Sequence, residues 1–332
     1  MREQILRRDV DSDWESAPCL CGGGADVVVS EVERHGLPYR KCLCLECGLL
    51  RVDPRWTTTR LSRFYEEEYR SLYAGRGERS VSEYASWVAT QPSARSVARF
   101  VESAVASHLT PSTRSRKVVE IGAGGGWNMA ALPPGWQRIG YDGDASYLQA
   151  GRELFGVDMR NGFLDQADAD IADADVVLLS HVVEHFSDPV GALSRVATRL
   201  SPDSLLLIEV PGVFKIHRSV RDPMVYMQNA HLFTFCASTL ANTCRAAGLE
   251  VLQVDETCRL VAKRASSAPV GGFIAADPLV AGRVLSYLHR CERGNTLAAA
   301  LRRLPVVGTA LSRAAAKFWN EWVGSLPSSR ST

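Results

Sequence analysis

The second half of the chain alternates short apolar runs with amphipathic stretches. The apolar runs cover 118–121, 138–141, 157–159, 176–179, 205–210, 251–254 and 260–262. Helical spacing predicts helices between them at 126–132, 145–155, 189–200 and 237–247. Continuous apolar strands separated by helices are typical of a parallel sheet covered on both faces, and the last two runs are joined by a turn too short for a helix. The pattern predicts an α/β fold with a doubly wound seven-stranded sheet and a terminal antiparallel hairpin.

The remaining regions have different patterns. Residues 1–56 are rich in Cys and Gly, and apolar residues at helical spacing predict helices over 57–110, as a connector or lid. The sheet occupies 111–265 and carries an insertion at 211–235. Residues 266–332 show no strand pattern, and 297–324 look helical with a break at Pro305. We therefore expect an N-terminal module, a connector, a main domain and a helical C-terminal extension.

Charge and composition limit the classes of partner that the chain is expected to bind. The chain has 332 residues, 46% of them hydrophobic, and its net charge of +1 argues against a nucleic-acid partner. Its start is charged, without the apolar core of a secretion signal, and no run reaches membrane-spanning length, so a cytoplasmic protein is expected. From 259 to 332 there are eleven Lys and Arg against three Asp and Glu. This basic region predicts either a peripheral contact with a membrane or partner, or a helix packed on its own domain. The oligomeric state is left open.

A glycine loop follows the first predicted strand of the sheet. Glu120 ends that strand, Gly122, Gly124 and Gly126 follow, and Trp127 stands where a dinucleotide fold places its last glycine. Closely approaching backbone amides suit a nucleotide, but the acid ahead of the loop better suits the amino group and sulfonium of S-adenosylmethionine. Asp142 ends the second strand, where a carboxylate can accept hydrogen bonds from ribose hydroxyls. The loop and the two acids favour S-adenosylmethionine as the cofactor.

The segment 181–189, which reads HVVEHFSDP, strengthens this interpretation. Together with the helix after it and LLLIEVP at 205–211, it resembles the class I S-adenosylmethionine-dependent methyltransferases, whose fold is Rossmann-like. The resemblance implies that the glycine loop and Glu120 hold the methionine end and that Asp142 holds the ribose. It also implies that Gly162, Phe163 and Leu164 flank the adenine, and that Ser180 and His181 close the pocket.

Five of the nine cysteines lie in the N-terminal module. Cys19 and Cys21 form one pair, and Cys44 and Cys47 form a second, each followed by Gly. Four thiolates suit a structural Zn²⁺, with Cys42 as an additional candidate ligand. Residues 40–69 also resemble the zinc-binding segment that precedes some of these methyltransferases. The short first pair leaves reduced, unliganded cysteines as the alternative, and a nucleic-acid-binding ribbon is weakly supported. The four scattered cysteines are expected to be buried.

Histidines mark the expected acceptor site. His181, His185, His217 and His231 fall at the carboxyl ends of the fourth and fifth strands, and imidazole is the usual base near neutral pH. The insertion 211–235 mixes polar and aromatic residues, and its segment 226–235 resembles one in sugar methyltransferases that ends in a catalytic histidine. We therefore expect His231 to act as base or substrate contact, with His181, His185 and Tyr226 as further catalytic candidates. The spacing of His181 and His185 also suits a metal, but the sequence offers no third ligand.

The acceptor class depends on one departure from the family pattern. The acidic residue common just before that histidine is Ala230 here, which favours oxygen over carbon methylation. The leading hypothesis is therefore an O-methyltransferase acting on a sugar: nucleotide-activated, in a surface glycan, or on a glycosylated metabolite. A lipid or carrier-bound acceptor is the second hypothesis. A non-catalytic adaptor that keeps the fold is the third.

Overall fold

A computed structural model describes residues 11–69, 72, 83, 93–219, 228–267 and 274–302. The strands are β1 Trp14–Glu15, β2 Asp26–Val32, β3 Pro38–Cys44, β4 Leu50–Val52, β5 Arg55–Trp56, β6 Lys117–Ile121, β7 Gln137–Asp142, β8 Asp158–Asn161, β9 Val176–Ser180, β10 Leu205–Glu209, β11 Phe233–Thr234, β12 Leu249–Val254 and β13 Arg259–Arg264. The helices are α1 Thr58–Glu67, α2 Ser93–His108, α3 Trp127–Ala130, α4 Ala145–Phe155, α5 Asp168–Asp173, α6 Pro189–Arg199, α7 Ala237–Ala246 and α8 Pro278–Arg302. Short 3₁₀ turns lie at Leu164–Gln166, Val183–His185 and Val213–Ser219.

The main sheet has seven strands in the order β12-β13-β10-β9-β6-β7-β8. Strands β6 to β10 run parallel to one another, and β13 is antiparallel to both of its neighbours. The predicted fold class, including the terminal antiparallel hairpin, is confirmed. Strand β8 begins one residue later than its apolar run and extends to Asn161, because the sheet edge needs fewer buried residues than the centre.

Both faces of this sheet are buried, which explains the continuous apolar runs. Alternate residues of the central strands belong to two different cores: Val177 and Leu179 point to one face, and Val176 and Leu178 to the other. Since successive side chains of a strand alternate between faces, a strand covered on both sides has no polar position to show. The flanking helices are locally encoded. Asp188 caps α6 by accepting the amide of Gly191 at 2.9 Å, with Pro189 opening the helix.

The N-terminal sheet joins the insertion 211–235. Its order is β11-β4-β3-β2, so a strand from the end of the insertion completes a sheet made by the Cys-rich region. Phe233 pairs with Arg51, Thr234 pairs with Leu50, and the amide of Val52 donates to the carbonyl of Leu232 at 2.8 Å. The Cys-rich region therefore forms part of the wall beside the carboxyl edge of the main sheet.

The C-terminal helix differs from its prediction. It begins at Pro278, earlier than the expected 297, and residues 303–332 lie outside the described part of the chain. Val280, Val284, Tyr287 and Cys291 are buried on it, in one core with Val213 and Ile216 of the insertion. The start of the basic region thus packs on its own chain. No helix in the described ranges is long and apolar enough to cross a membrane.

Candidate cofactor and acceptor site

The glycine loop between β6 and α3 adopts a backbone that only glycine tolerates well. Gly122, Gly124 and Gly126 all have positive φ, at 70°, 54° and 75°. A Cβ on Gly122 would lie 2.6 Å from a methyl of Val182, and one on Gly124 would lie 2.5 Å from the Trp127 indole. The loop therefore turns tightly at the carboxyl edge of the sheet and stays open only because it lacks side chains.

Glu120 lies beneath this loop as a buried, incompletely satisfied carboxyl group. It is 1% exposed, and its Oε1 accepts a hydrogen bond from Asn128 Nδ2 at 2.7 Å. Its Oε2 is buried and, among the residues that the structure describes, has no hydrogen-bond partner. Burial raises the pKa of Glu120 to about 8, against the hydrogen bond from Asn128. A buried acceptor without a partner suits a ligand that brings a cationic or N–H group to this position.

Asp142 ends β7 and faces the same loop. Its Oδ2 accepts the amide of Gly124 at 2.8 Å, and its Oδ1 accepts the amide of Asp144 at 2.9 Å. A carboxylate oxygen can accept more than one hydrogen bond, so these two amide bonds alone do not saturate the group. The carboxylate is thus held by the backbone of the loop it faces.

An exposed aromatic ring flanks Asp142. Phe163 is 61% exposed, and its ring packs over Gly143, where a Cβ would lie 2.6 Å from it. Gly162 has φ 137°, which lets the chain turn beside the ring, while Leu164 is buried in the core beneath. An exposed ring beside a carboxylate offers a stacking surface for a planar group.

The turn after β9 completes this side of the site. Ser180 ends β9 and is 8% exposed, and the amide of His181 donates to the carbonyl of Glu209 at 2.8 Å. His181 has φ 57°, rare outside glycine, and its side chain is more than half exposed. Its Nδ1 lies 3.5 Å from Oε1 of Glu184.

Glu184 lies among three histidines, His181, His185 and His231. It is 1% exposed, and its Oε1 lies 3.8 Å from Nε2 of His185. Within the described part of the chain its two oxygens have no hydrogen-bond partner. The rings of His185 and His231 meet edge to face with centroids 4.9 Å apart. Burial acts to raise the pKa of Glu184, but the neighbouring imidazoles, with a side-chain hydrogen bond from His181 among them, outweigh it and lower the pKa to about 2. The carboxylate is therefore anionic and stabilises positive charge on the imidazoles.

The hydrogen bonds of His185 fix its tautomer. Its Nδ1 lies 2.7 Å from the carbonyl oxygen of Ala230, which can only accept, so Nδ1 carries the proton. The hydroxyl of Tyr65 lies 2.9 Å from the same nitrogen. Nε2 is then the nitrogen without a proton in the neutral ring, and it faces Glu184 and His231.

His231 is neutral in this environment. Burial and then the neighbouring His185 hold the pKa of His231 well below its ordinary value, while Glu184 acts in the opposite direction. A neutral imidazole is able to accept a proton. Glu184, His185 and His231 also place one ligand atom each within 4.8 Å of one another, a set that suits a metal ion as well.

Helix α1 lies over these groups. Tyr65 contacts His185 edge to face at 6.0 Å, and Tyr69 lies next to Tyr65 at 5.2 Å. Burial raises the pKa of Tyr69, and Tyr147, Glu184 and Asp142 add to that rise. The Phe64-Tyr65 doublet and Tyr69 were visible in the sequence, but nothing there showed that they face the histidines.

Two predicted acceptor residues cannot be placed here. Tyr226 lies outside the described residues, and so does the side chain of His217. Phe214, from the predicted polar lining, instead packs against Tyr287 of α8 at 5.1 Å. The first part of the insertion therefore packs on the C-terminal helix, and its last part carries His231.

Residues 93–254 match the family model described as a methyltransferase domain. The match starts with α2 and ends with β12, so it spans Glu120, the glycine loop, Asp142 and the histidine turn. No curated protein matches the chain.

Solved structures give similarities at low sequence identity. One match is a chain of the complex between the Haloferax volcanii Trm112 methyltransferase activator and a methyltransferase. The two sequences are 19% identical, and the match covers 57% of this chain and 99% of that chain at a TM-score of 0.41. Human N-acetylserotonin methyltransferase in complex with SAM is 15% identical, covering 63% and 66%, at 0.41. A SAM-dependent methyltransferase from Thermotoga maritima is 18% identical, covering 56% and 96%, at 0.36.

The four paired cysteines converge outside the segment that matches the family model. The sulfurs of Cys19 and Cys47 lie 3.5 Å apart, those of Cys21 and Cys44 lie 3.6 Å apart, and all four lie within 4.8 Å of one another. Zinc–sulfur bonds of about 2.3 Å give sulfur–sulfur distances of about 3.8 Å in a tetrahedron. Cys42 stands apart, with its sulfur 3.7 Å from the carbonyl oxygen of Asp53. The four sulfurs therefore fit one tetrahedral ion.

The buried carboxyl group of Glu120 predicts how stability depends on pH. Its pKa is 4.5 in the absence of the fold and about 8 within it, so between these values the folded chain holds a proton that the unfolded chain has lost. Stability of the wild type should therefore fall as pH rises from 5 to 8, and Glu120→Gln should remove about 4 kcal/mol of that fall. Urea unfolding at pH 5, 6.5 and 8 measures this, with the exposed Glu153→Gln as control. Parallel curves for wild type and Glu120→Gln would contradict the assignment.

Proposed function

We propose that this chain is an S-adenosylmethionine-dependent methyltransferase that methylates a hydroxyl group of a sugar, with His231 as general base. The observation that carries the proposal is a juxtaposition. The loop with Glu120 and Asp142 and the cluster of Glu184, His185 and His231 lie at the same carboxyl edge of one parallel sheet. Ligands of open α/β sheets bind at that edge.

The residues at the loop fit the proposed cofactor. S-adenosylmethionine, when bound, supplies a methyl group activated by its sulfonium. The unpartnered Oε2 of Glu120 would accept from its amino group, the oxygens of Asp142 would accept from the ribose hydroxyls, and the Phe163 ring would stack on the adenine. The glycines keep side chains out of the space that these contacts require.

The histidine cluster fits removal of a proton from an acceptor hydroxyl. The neutral His231 takes that proton, and the charge it acquires is stabilised by the buried carboxylate of Glu184. The carbonyl oxygen of Ala230 accepts hydrogen bonds from the Tyr65 hydroxyl and from Nδ1–H of His185. These bonds orient Nε2 of His185 toward Glu184 and His231. These polar groups together suit a hydroxyl-rich acceptor better than an apolar one.

Two other hypotheses give different outcomes. A lipid or carrier-bound acceptor would use the same cofactor and a basic C-terminal surface, whose second half lies outside the described residues. An adaptor without activity would not need the unpartnered carboxyl of Glu120 or the buried carboxylate among histidines, because each of these groups destabilises the empty fold.

We expect S-adenosylhomocysteine to bind, and Asp142→Ala to weaken binding by about 10- to 100-fold through the loss of two charge-assisted hydrogen bonds. Titration calorimetry measures this. Asp142→Asn separates the ribose contact from support of the loop, since it keeps an acceptor for the amide of Gly124. The exposed Asp203→Ala is the matched control. A wild type that does not bind would contradict the enzyme proposal.

We expect His231→Ala to retain S-adenosylhomocysteine binding and to lose about 10²- to 10⁴-fold in kcat, the range for a general base. Transfer of labelled methyl from S-adenosylmethionine to a panel of nucleoside-diphosphate sugars measures this, with the exposed His108→Ala as control. Turnover unchanged in His231→Ala would remove the base assignment. Turnover with lipid or carrier-bound acceptors alone would replace the sugar by the second hypothesis.

We also propose that the converging cysteines bind a structural Zn²⁺, held by Cys19, Cys21, Cys44 and Cys47. Four thiolates close the coordination sphere and leave no position for a reacting group. The turns around them are built for it, since Gly22 and Gly48 have positive φ and Gly48 donates its amide to the carbonyl of Cys44 at 2.9 Å. The start of α8 packs against the second turn, where a Cβ on Gly48 would lie 2.6 Å from Val280.

Metal analysis of the purified chain should find one equivalent of zinc, lost in Cys44→Ser and retained in Cys42→Ser. The cobalt-loaded chain should show the strong charge-transfer absorption of thiolate ligands. A metal-free wild type with normal folding would contradict the proposal. A second equivalent that disappears in His231→Ala would instead assign a metal to Glu184, His185 and His231.

A further inference from the structure

Glu184, His185 and His231 form a cluster of three metal-ligating side chains that come from two segments of the chain. Glu184 and His185 belong to the 3₁₀ turn after β9, and His231 lies just ahead of β11. One ligand atom of each residue lies within 4.8 Å of the other two, and Oε1 of Glu184 lies 3.8 Å from Nε2 of His185. Zinc–nitrogen bonds of about 2.1 Å separate two ligand atoms by about 3.4 Å in a tetrahedron. One ion therefore fits among the three atoms after small rotations of the side chains.

The hydrogen bond of His185 is the one that a metal-binding histidine needs. Its Nδ1 lies 2.7 Å from the carbonyl oxygen of Ala230, which leaves Nε2 of the neutral ring without a proton and on the side of Glu184. Metal-binding histidines donate their second ring nitrogen to a carbonyl or a carboxylate in this way, because the bond fixes the tautomer and the direction of the free lone pair. Nε2 is therefore directed at the position that an ion would occupy.

The carboxylate of the cluster is buried, whereas its imidazoles reach solvent. Glu184 is 1% exposed, and in the described ranges neither of its oxygens has a hydrogen-bond partner. His185 and His231 are half-buried. A buried carboxylate without hydrogen bonds destabilises the fold, and a bound cation would offset that cost. The exposed edges of the two rings give such a cation a path from solvent.

The backbone of His231 is held in place independently of its ring. Its carbonyl oxygen accepts a hydrogen bond from Nζ of the buried Lys41 at 2.9 Å. The carbonyl oxygen of Leu232 accepts the amide of Val52 in β4 at 2.8 Å. Because this ligand lies on a backbone that the Cys-rich sheet already orders, little conformational entropy is lost when an ion binds.

Two imidazole nitrogens and one carboxylate oxygen favour a transition-metal ion. Imidazole suits Zn²⁺ and its neighbours in the first row, whereas Mg²⁺ and Ca²⁺ prefer oxygen ligands throughout. Three protein ligands also leave at least one coordination position to water, unlike the four thiolates of the cysteine cluster. We therefore expect an ion here to bind more weakly than one at the cysteines and to exchange with solvent.

We propose that Glu184, His185 and His231 form a second, exchangeable site for Zn²⁺ or a similar transition-metal ion, and that an ion bound there inhibits methyl transfer. A neutral imidazole has one nitrogen with a free lone pair. When that lone pair of His231 binds a metal, it is no longer available to the proton of an acceptor hydroxyl. The inhibition rests on the proposed function, in which His231 is the base, whereas binding of the ion does not depend on it.

Titration with Co²⁺ tests the binding, on a chain whose cysteine site has first been filled with zinc. We expect one further equivalent to bind, with the weak visible absorption of nitrogen and oxygen ligands and without the intense charge-transfer absorption of thiolates. His231→Ala and Glu184→Gln should each weaken this binding at least about 100-fold, since losing even a hydrogen bond to a ligand costs about 10- to 100-fold. The exposed His108→Ala is the matched control. An unchanged Co²⁺ affinity in His231→Ala would overturn the proposal.

A measurement on the wild type covers the case in which a variant does not fold. Bound Co²⁺ should protect His185 and His231 from modification by diethyl pyrocarbonate, as read by mass spectrometry, and should leave the exposed His108 reactive. Equal modification of His185 and His231 with and without saturating Co²⁺ would overturn the proposal.

Transfer of labelled methyl from S-adenosylmethionine by the zinc-filled chain measures the inhibition. At a Co²⁺ concentration about ten times its Kd the rate should fall about 10-fold, because only the metal-free fraction keeps its base. More acceptor should relieve the inhibition, more S-adenosylmethionine should not, and gel filtration should restore the rate. An unchanged or higher rate with Co²⁺ bound would overturn the inhibitory role. A wild type that binds no S-adenosylhomocysteine would defeat the proposed function and leave the Co²⁺ titration measurable.

Discussion

The parallel pairing of β6 with β9 is the constraint on which the site depends. It sets Ile121 beside Leu179, so the glycine loop and the 181–185 turn leave the sheet side by side at one edge. Val182 then fills the space over Gly122, which is why that position has no room for a Cβ. A shift of this register would separate the loop from the histidines and would place core residues on the wrong face. The proposed cofactor and acceptor sites are neighbours because β6 and β9 are neighbouring strands.

Features local in sequence were predictable. The glycine loop, the acids at 120 and 142 and the helix caps are encoded within a few residues, and the apolar runs of the buried strands define the sheet. The prediction missed α8 from 278 to 296 because its buried residues, Val280, Val284, Tyr287 and Cys291, are interrupted by Arg, Ser and His. Their spacing of four, three and four was a signal that the sequence did contain.

Contacts between distant segments were not predictable from the sequence. In the sequence, Glu184 is simply one residue of the segment HVVEHFSDP. Only the fold shows that its carboxylate is buried among three imidazoles. Lys41 and His231 lie in parts of the chain that the sequence pattern divides, yet the Lys41 amino group donates to the carbonyl oxygen of His231 at 2.9 Å. Polar residues carry no periodicity that reports burial, so their partners become visible only when the strand order is known.

The position before His231 shows how such contacts change an interpretation. In the sequence, Ala230 stands where the resembling family commonly has an acidic residue, which favoured oxygen over carbon methylation. In the fold, the carboxylate comes from the neighbouring 3₁₀ turn, because Glu184 lies within reach of both His185 and His231. Ala230 itself is fully buried, and its carbonyl oxygen accepts from His185 and from Tyr65. A long acidic side chain there would add a second buried negative charge beside Glu184, and like charges brought together in a buried space destabilise the fold. The small residue at 230 and the buried carboxylate of Glu184 therefore fit together, because this part of the site then holds one buried negative charge and not two.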